Sequence, residues 1–466
     1  MTSRDHVRYV YLVTSVAAVG GLLFGYDTAV IAGALEFLKA RFALTPAMEG
    51  WAVSSVLIGC ILGALVAGSF SDWLGRRKVL IGCAVLFAIS AFWSAVPRNL
   101  TEFALARMLG GVGVGAASML SPLYIAEIAP ARIRGRLVSL NQLTIVLGML
   151  VVYFVNAAIA SAEDKTWNIE TGWRWMFASE LLPALVFLVL LFFVPESPRW
   201  LTKQGREHEA IRILTRVGGA EQASLELSEI RQTIAEEAGV SVVQLFRPGL
   251  RLALLVGFVL AILQQVTGIN SILYYAPTIF TGAGSSIDAA LLQTVVVGAV
   301  NVGFTLVAIW LVDQVGRRAL LLAGSLGMAL CLFLIGAAFA YEKFEGPWLL
   351  LFILTYIACF AVSMGPVVWV VLSEIYPTRI RGRAMSVATV TLWCACYLVA
   401  QTFPVLRDGI GPGPTFCVYG VMSVLTFFFV LRVLPETKGR TLEEIERSWG
   451  RRKPSGANGG FHDRQP

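Results

Sequence analysis

Charged residues are scarce in this chain of 466 residues. Lysine, arginine, aspartate and glutamate together make up 14% of it, whereas a soluble domain is about one quarter charged. Apolar residues make up 57%, and a soluble chain of this length needs a larger polar surface than the remainder supplies. The shortage excludes a soluble enzyme, a nucleic-acid-binding protein and a disordered chain. At about 20 apolar residues per span, the apolar content suffices for roughly a dozen membrane spans.

Histidine, metal-ligand clusters and nucleotide-binding motifs are also scarce or lacking. The three histidines, His6, His208 and His462, lie outside the apolar stretches, which excludes a histidine proton relay in the membrane. The seven cysteines have no metal-ligand spacing, so we interpret them as packing residues and expect no metal site. No Walker motif is present, and the glycine-rich run from Gly111 to Gly115 favours close helix packing over a phosphate loop. We expect neither an enzyme nor an ATP-driven pump.

Long apolar runs predict twelve membrane-spanning helices and therefore an all-α membrane protein. The predicted spans, numbered 1 to 12 in chain order, cover residues 9–34, 50–71, 78–97, 101–126, 138–160, 174–194, 250–281, 288–313, 319–341, 347–374, 384–404 and 413–434. Between spans 6 and 7 lies a polar linker, residues 195–249. Its periodic apolar residues, among them Leu214, Leu225 and Leu227, predict short amphipathic helices outside the membrane. We expect the end of the tail, residues 435–466, to be disordered.

Basic clusters follow spans 2, 4, 8 and 10, and all of these loops lie on one side of the membrane. By the positive-inside rule this side is cytoplasmic. We therefore expect both termini and the linker to be cytoplasmic. The net charge of +7 is explained by these clusters, and we expect no nucleic-acid partner.

Three motifs recur at nearly the same offset along the chain. The recurring strings are Asp72 to Arg77 with Asp313 to Arg318, Glu127 to Arg136 with Glu374 to Arg383, and Pro195 to Ser197 with Pro435 to Thr437. The chain is thus predicted to contain two copies of a six-helix unit, residues 1–194 and 250–434. Two such halves that rock about a site at the membrane midplane are a main plan of transporters.

With these motifs the chain resembles the sugar porter family of the major facilitator superfamily, over roughly residues 9–445. The resemblance also rests on Pro195 to Arg199, Pro435 to Gly439, and the run Gln264-Gln-Val-Thr-Gly-Ile-Asn270. It is greatest to bacterial xylose/proton and hexose/proton symporters. It implies alternating-access transport of a monosaccharide across the bacterial cytoplasmic membrane by a monomer, without a cofactor and driven by the proton motive force. An uncoupled sugar uniporter and a non-transporting sugar sensor are the alternatives.

The acids and arginines of the repeated motifs lie at predicted helix ends, where they can form ion pairs between helices. Such pairs would latch one face shut and break when the halves rock. The alternative is that the arginines only orient the helices. The latch candidates are Asp72, Arg76, Arg77, Glu127, Arg134, Glu196, Arg199, Asp313, Arg317, Arg318, Glu374, Arg381 and Glu436.

Amide side chains inside the spans are candidates for a sugar site, because they both donate and accept hydrogen bonds and are costly in a bilayer. Three of them flank Gly268 in span 7, where the glycine would allow local unwinding. An interhelical hydrogen bond is the alternative for each amide. A sugar site also needs an aromatic face. In span 10, Gly365-Pro366 predicts a helix break beside the ring of Trp369, and Trp393 in span 11 offers a second aromatic ring for the sugar. The resemblance implies sugar contact by Gln142, Gln264, Gln265, Asn270, Asn301 and Trp369, with Tyr274 and Tyr275 near an outer gate.

Two positions depart from the pattern of the xylose symporters. Met149 and Leu392 stand where those proteins carry glutamine. Each lost amide removes a hydrogen-bond partner worth roughly 1 kcal/mol. The sugar therefore stays open among xylose, glucose and galactose.

Three ionisable residues lie deep in the predicted spans: Asp27, Arg107 and Glu180. Burial favours a protonated carboxyl and a nearby arginine favours a charged one, so a moving Arg107 would switch Asp27 between binding and releasing a proton. A static buried ion pair is the alternative. The resemblance favours proton symport, since symporters of the family carry aspartate at this position and facilitators usually do not.

Overall fold

The computed structural model describes residues 3–237, 251–342, 346–376 and 381–439. Within these ranges the chain is almost wholly helical, and twelve helical segments are long and apolar enough to cross a membrane. The predicted all-α fold class is confirmed. Part of the linker, most of the tail and the side chain of Arg381 lie outside the described residues.

The spans of the first half are mostly single long helices. Spans 1 to 5 are Ser3–Phe42, Pro46–Leu74, Arg76–Ala95, Leu100–Ile128 and Ala131–Ala160. Span 6 comprises Lys165–Trp167, a π-helical turn at Asn168–Gly172, Trp173–Ala178 and Leu181–Leu191. Span 5 begins seven residues before its predicted start at residue 138, because the helix continues beyond the apolar run into basic residues. Span 3 ends at Ala95, two residues before the predicted end.

Two spans of the second half are broken near their middle. Span 7 comprises Arg251–Val266 and Ile269–Gly282, and span 10 comprises Trp348–Val362 and Met364–Ile375. The remaining spans 8, 9, 11 and 12 are Ile287–Val315, Arg317–Ala340, Arg381–Ile410 and Pro412–Arg432. The break in span 10 falls at Ser363, two residues before the predicted Gly365, and the proline is accommodated in the first turn of the following helix.

Glycines let spans 2 and 4 pack at backbone distance. A Cβ on Gly111 would lie 1.9 Å from the carbonyl oxygen of Val56, and one on Gly115 would lie 2.1 Å from that of Cys60. No side chain fits there, so the two helices approach each other through their backbones. The interpretation of the Gly111 to Gly115 run as a packing surface is confirmed.

The linker forms three short helices with a small apolar core. They are Pro198–Lys203, Glu207–Gly218 and Ala220–Glu237. Leu214 and Leu227 are buried in this core with Trp200, whereas Leu225 is 62% exposed. Leu225 lies on another face of its helix, because the buried face repeats every four residues through Ala223 and Leu227.

The two halves meet along three pairs of helices: spans 1 and 7, spans 2 and 11, and spans 5 and 8. Each pair combines one helix from either half. Asp27, the amides of span 7 and Trp393 all lie on helices of these pairs. These helices form the contact between the halves, although the side chain of Asp27 pairs with Arg107 within the first half.

Candidate functional site

The break in span 7 lies between the candidate amides. Gly268 has a φ of +88°, a left-handed conformation, and it begins the second helix of the span. Glycine adopts this conformation without the steric cost that a Cβ brings. A Cβ would also lie 2.7 Å from the ring of Tyr419 in span 12. The predicted unwinding at Gly268 is present.

A chain of hydrogen bonds runs through the amides at this break. Asn270 Nδ2 donates to Gln265 Oε1 at 2.6 Å, and Gln265 Nε2 donates to Gln264 Oε1 at 3.5 Å. Gln264 Nε2 donates in turn to the carbonyl of Met364 at 2.7 Å. That carbonyl lies in the first turn after the break in span 10, so Gln264 holds the two broken helices together. Both anticipated uses of these amides, interhelical bonding and a polar site, are compatible with this arrangement.

The other end of the chain reaches span 11. Asn270 Nδ2 also donates to Cys396 Sγ at 3.0 Å, and the same sulfur interacts with the hydroxyl of Tyr274. Tyr274 is buried, and the neighbouring Tyr275 donates its hydroxyl to the carbonyl of Ala400 at 2.8 Å. Sequence reasoning interpreted Cys396 only as a packing residue. Its contact with Asn270 depends on how spans 7 and 11 cross, which no motif records.

The remaining sugar candidates lie on separate spans. Gln142 and Trp369 are half-buried and Asn301 is buried. Within the described residues, no hydrogen bond joins these three side chains to the amide chain. Trp393 is buried, and its ring lies 5.4 Å from that of Phe24 in span 1. Its indole N–H has no hydrogen-bond partner in the described part of the chain.

The three ionisable residues inside the spans lie together in the first half. Arg107 Nη1 pairs with Asp27 Oδ1, and Arg107 Nη2 donates to the backbone carbonyl of Asp27 at 2.6 Å. Phe177 covers the guanidinium with its ring centroid at 5.4 Å. Glu180 is close enough for its charge to interact with both partners. Asp27 and Glu180 are almost completely buried, so any charge on them is held within the protein.

Some of the carboxyl oxygens of Asp27 and Glu180 make no hydrogen bond in the described part of the chain. Asp27 Oδ2 and both carboxyl oxygens of Glu180 have no hydrogen-bond partner among the described residues. A buried oxygen without a partner is costly for a charged carboxylate and less so for a protonated one. The arrangement can therefore hold a proton.

On the side opposite the basic loops, an ion pair joins the two halves. Arg407 in span 11 donates from both terminal nitrogens to the two carboxyl oxygens of Glu49 in span 2, each at 3.0 Å. Glu49 has no exposed surface, and Lys39 lies 3.5 Å from it. Asp408 pairs with Arg407 from a more exposed position. These residues carry no recognisable motif, and nothing in the sequence shows that spans 2 and 11 are neighbours.

Further hydrogen bonds join the halves on the same side. Thr278 donates to Glu36 at 2.7 Å, and Ser54 donates to Gln401 Oε1 at 2.7 Å. Tyr153 in span 5 donates to the carbonyl of Leu273 in span 7 at 2.8 Å. The structure therefore has this side closed.

On the basic side, the first set of latch candidates forms a network within the first half. Arg76, the first residue of span 3, donates to both carboxyl oxygens of Glu127 in span 4, at 3.0 and 3.1 Å. It also pairs with Asp72 in span 2 at 2.9 Å. The backbone N–H groups of Arg76 and Arg77 donate to Glu196, which therefore caps the helix. A carboxylate is favourable at this position because it faces the positive end of the helix dipole.

Three further members of this set have contacts around that network. Arg77 donates from its side chain to the carbonyls of Leu191 and Phe192 at 2.8 Å. Arg134 donates to the carbonyl of Ala129 at 3.2 Å. It also lies near Glu226 of the linker, where burial raises the pKa of the carboxyl and the arginine opposes that shift. Arg199 is the second residue of the short linker helix Pro198–Lys203.

The second half repeats the network at matching positions. Arg317, the first residue of span 9, pairs with Glu374 at 2.8 Å and with Asp313 at 3.0 Å. Glu436 accepts from the backbone N–H groups of Arg317 and Arg318 at 2.9 and 3.1 Å. These ion pairs join helices of the same half, and a latch between the halves stays a prediction. The agreement of the two networks indicates that the halves arose as copies of one unit.

Glycine makes both networks possible. Gly75 and Gly316 each have a φ of +100°, and a Cβ on them would lie 2.3 Å from Glu196 and 2.8 Å from Glu436, respectively. Each glycine thus admits the carboxylate that caps the next helix. This explains on physical grounds why the repeated motif contains glycine between its acid and its arginines.

Polar groups at midspan, placed on broken helices between two related halves, are characteristic of secondary transporters. The fold and the site therefore define a secondary transporter with the major facilitator fold, a multi-pass membrane protein and not an enzyme. Over most of its length the sequence also matches one family. The chain belongs to the sugar transporter family, whose model, described as sugar (and other) transporter, matches residues 13–449.

Individual relatives are similar over nearly their whole length. The arabinose-proton symporter of Bacillus subtilis (strain 168) is 45% identical over 448 residues, which cover 96% of this chain and 97% of that protein. The D-xylose-proton symporter of Escherichia coli (strain K12) is 44% identical over 483 residues, covering 96% and 97%. Among solved structures, the xylose transporter XylE from E. coli in a partially occluded inward-open conformation has a TM-score of 0.85 at 44% identity. That comparison covers 93% of this chain and 100% of the other.

Proposed function

We propose that this protein is a symporter that carries a monosaccharide and a proton together across the bacterial cytoplasmic membrane by alternating access. The observation that carries the proposal is the buried pair of Asp27 and Arg107, in which one carboxyl oxygen has no partner among the described residues. That oxygen is a site at which the buried carboxyl can take up a proton while Arg107 holds the other oxygen. The names of two similar proteins, both proton symporters, support the same coupling.

The amide chain of span 7 supports a sugar site at the break. Gln265 and Asn270 hydrogen-bond each other through groups of the kind that sugar hydroxyls both donate to and accept from. A sugar would exchange these bonds for its own at little net cost. The binding residues we propose are Gln142, Gln264, Gln265, Asn270, Asn301, Trp369, Trp393 and Tyr274.

The indications for the identity of the sugar point in different directions. Two of the similar proteins are named for arabinose and D-xylose, which favours a pentose, whereas two less similar ones are named for glucose. Met149 and Leu392 are buried at positions where an amide would add hydrogen bonds, which keeps glucose and galactose as candidates. Competition of labelled sugar uptake by a panel of pentoses and hexoses distinguishes them.

Asp27→Asn in proteoliposomes tests the proton coupling. Asparagine keeps the shape of the side chain but binds no proton, so we expect sugar accumulation driven by a pH gradient to be abolished. Exchange of internal for external sugar should persist, because it needs no net proton movement. Asp288→Asn is the matched control: the same substitution at an exposed residue in the first turn of span 8 should leave both activities unchanged.

Other outcomes favour the alternatives. Accumulation that survives Asp27→Asn contradicts the assignment of the proton carrier. Sugar entry into wild-type vesicles without movement of protons would identify a uniporter. A chain that binds sugar but exchanges none would be a sensor.

The cytoplasmic location of the basic loops and of both termini belongs to the same proposal, as do the monomeric state and the latch. If the networks around Arg76 and Arg317 stabilise one conformation, neutralising Glu127 or Glu374 should change the rate of exchange more than the affinity for sugar. Labelling of cysteines introduced into these loops, from either side of the membrane, tests the orientation.

A further inference from the structure

A narrow space beside Asp27 is kept open by a glycine of span 4. A Cβ on Gly110 would lie 2.9 Å from Asp27 Oδ2 and 2.3 Å from the hydroxyl oxygen of Ser90 in span 3. Neither distance is tolerable for a real Cβ atom. Gly110 therefore leaves open a space that is bordered by both of these oxygens.

The oxygen of Asp27 in this space is Oδ2, which has no hydrogen-bond partner among the described residues. The other carboxyl oxygen, Oδ1, is held by Arg107. If Asp27 takes up a proton while this pair is intact, Oδ2 is the available oxygen. The proton would then point toward Ser90.

The hydroxyl of Ser90 is available in this space as a hydrogen-bond acceptor and not as a donor. Its hydroxyl donates to the carbonyl of Ala106 at 2.9 Å, and the side chain is 1% exposed. With its only hydrogen engaged there, Ser90 can offer only lone pairs to Asp27. Lone pairs stabilise a protonated carboxyl, which donates, and oppose a charged carboxylate, which only accepts.

We propose that Ser90 is a positioning residue for proton coupling, which accepts a hydrogen bond from the protonated Asp27, directly or through one water held over Gly110. The inference rests on the proposed role of Asp27 as the proton carrier. Arg107 would hold the charged state, and Ser90 the neutral one. The charged and the protonated Asp27 would then have different hydrogen-bond partners.

Other titratable groups also face Asp27. Arg107 from span 4 favours the charged carboxylate, whereas Glu180 from span 6 and the thiol of Cys60 from span 2 lie within electrostatic range of Asp27. None of these groups is altered by a change at Ser90. A change in pH dependence on removing the Ser90 hydroxyl is therefore attributable to that hydroxyl.

Ser90→Ala tests the proposal through the pH profile of uptake driven by a proton gradient. Without the acceptor the protonated state is less favourable, so the pH at which uptake is half-maximal should move about 0.5 to 1 unit toward acid, the size expected of one neutral hydrogen bond. Sugar exchange at saturating concentration should retain its rate, which shows that the variant folds. Gly110→Ala should move the profile in the same direction, since its methyl group separates the two oxygens.

Ser94→Ala is the matched control. Ser94 is equally buried one turn further along span 3, so its replacement should leave the pH profile unchanged. An unchanged profile for Ser90→Ala, or a shift toward alkaline pH, overturns the proposal while Asp27→Asn still abolishes accumulation. If Asp27→Asn leaves accumulation intact, both the proton-carrier assignment and this inference fail.

Discussion

Loss of the ion pair between Glu49 and Arg407 should shift the protein toward a conformation open on that side. The pair joins span 2 to span 11 and exists only while the halves are in contact there. Arg407→Gln removes both hydrogen bonds and leaves the carboxylate of Glu49, which has no exposed surface, without its main partner. When that side opens, water reaches the carboxylate and the penalty disappears.

The size of the shift follows from burial and from the remaining partner. Removing one member of a buried ion pair costs about 3–5 kcal/mol. Lys39 stays 3.5 Å from Glu49 and is partly exposed, so it offsets part of this cost. We expect about 2 kcal/mol, which is roughly a 30-fold change in the equilibrium between the closed and open conformations.

Distances between spin labels at Met48 and Ile410 measure this equilibrium in a background without reactive cysteines. Both residues are exposed and lie at the ends of spans 2 and 11 that carry the ion pair. Arg407→Gln should increase the population with the longer distance. Asp408→Asn removes a more exposed partner of the same arginine and should have little effect, because exposed pairs contribute below about 1 kcal/mol.

The double substitution Glu49→Gln with Arg407→Gln provides a second comparison. It removes the charges together and leaves no buried carboxylate, so its distance distribution should lie closer to that of the wild type. An unchanged distribution in Arg407→Gln would refute the argument that this pair holds the side closed. Equal effects of Arg407→Gln and Asp408→Asn would refute the argument from burial.

Two further predictions concern the stability of the second half. Gln264→Ala leaves the carbonyl of Met364 without its side-chain donor, so we expect a loss of about 1–2 kcal/mol and weaker sugar binding, seen as a lower Tm in detergent and a higher KM. Gly316→Ala places a Cβ at a φ of +100° and against Glu436, and it should destabilise the protein by about 2 kcal/mol. Gly303→Ala, where a Cβ meets nothing within 4 Å, should leave the Tm unchanged or raise it; an equal loss in both glycine variants would contradict the capping argument.

The prediction of the spans succeeded because bilayer thickness demands long apolar runs, which are visible in one sequence. The predicted ends of the spans were less accurate, as at span 5, because a helix continues into polar residues after it has left the apolar layer. The break at Gly268 was predictable from a glycine among amides. The break at Ser363 was displaced from Gly365-Pro366, since a proline fits in the first turn of a helix.

Among the candidate residues, Asp27, Arg107 and Glu180 could be selected because charge is rare in the spans. That Arg107 pairs with one oxygen of Asp27 and leaves the other beside the space at Gly110 could not be anticipated. Ser90 is an ordinary serine in the sequence, and only its position against Gly110 distinguishes it. The repeated motifs of the basic side were recognisable as motifs, whereas the capping of each following helix by Glu196 or Glu436 required the folded backbone.

The sequence by itself determined that this chain is a duplicated twelve-span membrane protein and which of its rare polar residues are candidates for function, because apolar length, scarcity of charge and repetition are properties of the chain alone. Only the tertiary structure decided which of these residues meet. Glu49 and Arg407 are more than 350 residues apart, and Asn270 meets Cys396 across two helices. Such contacts depend on how helices cross and approach, which is set by the packing of the whole bundle.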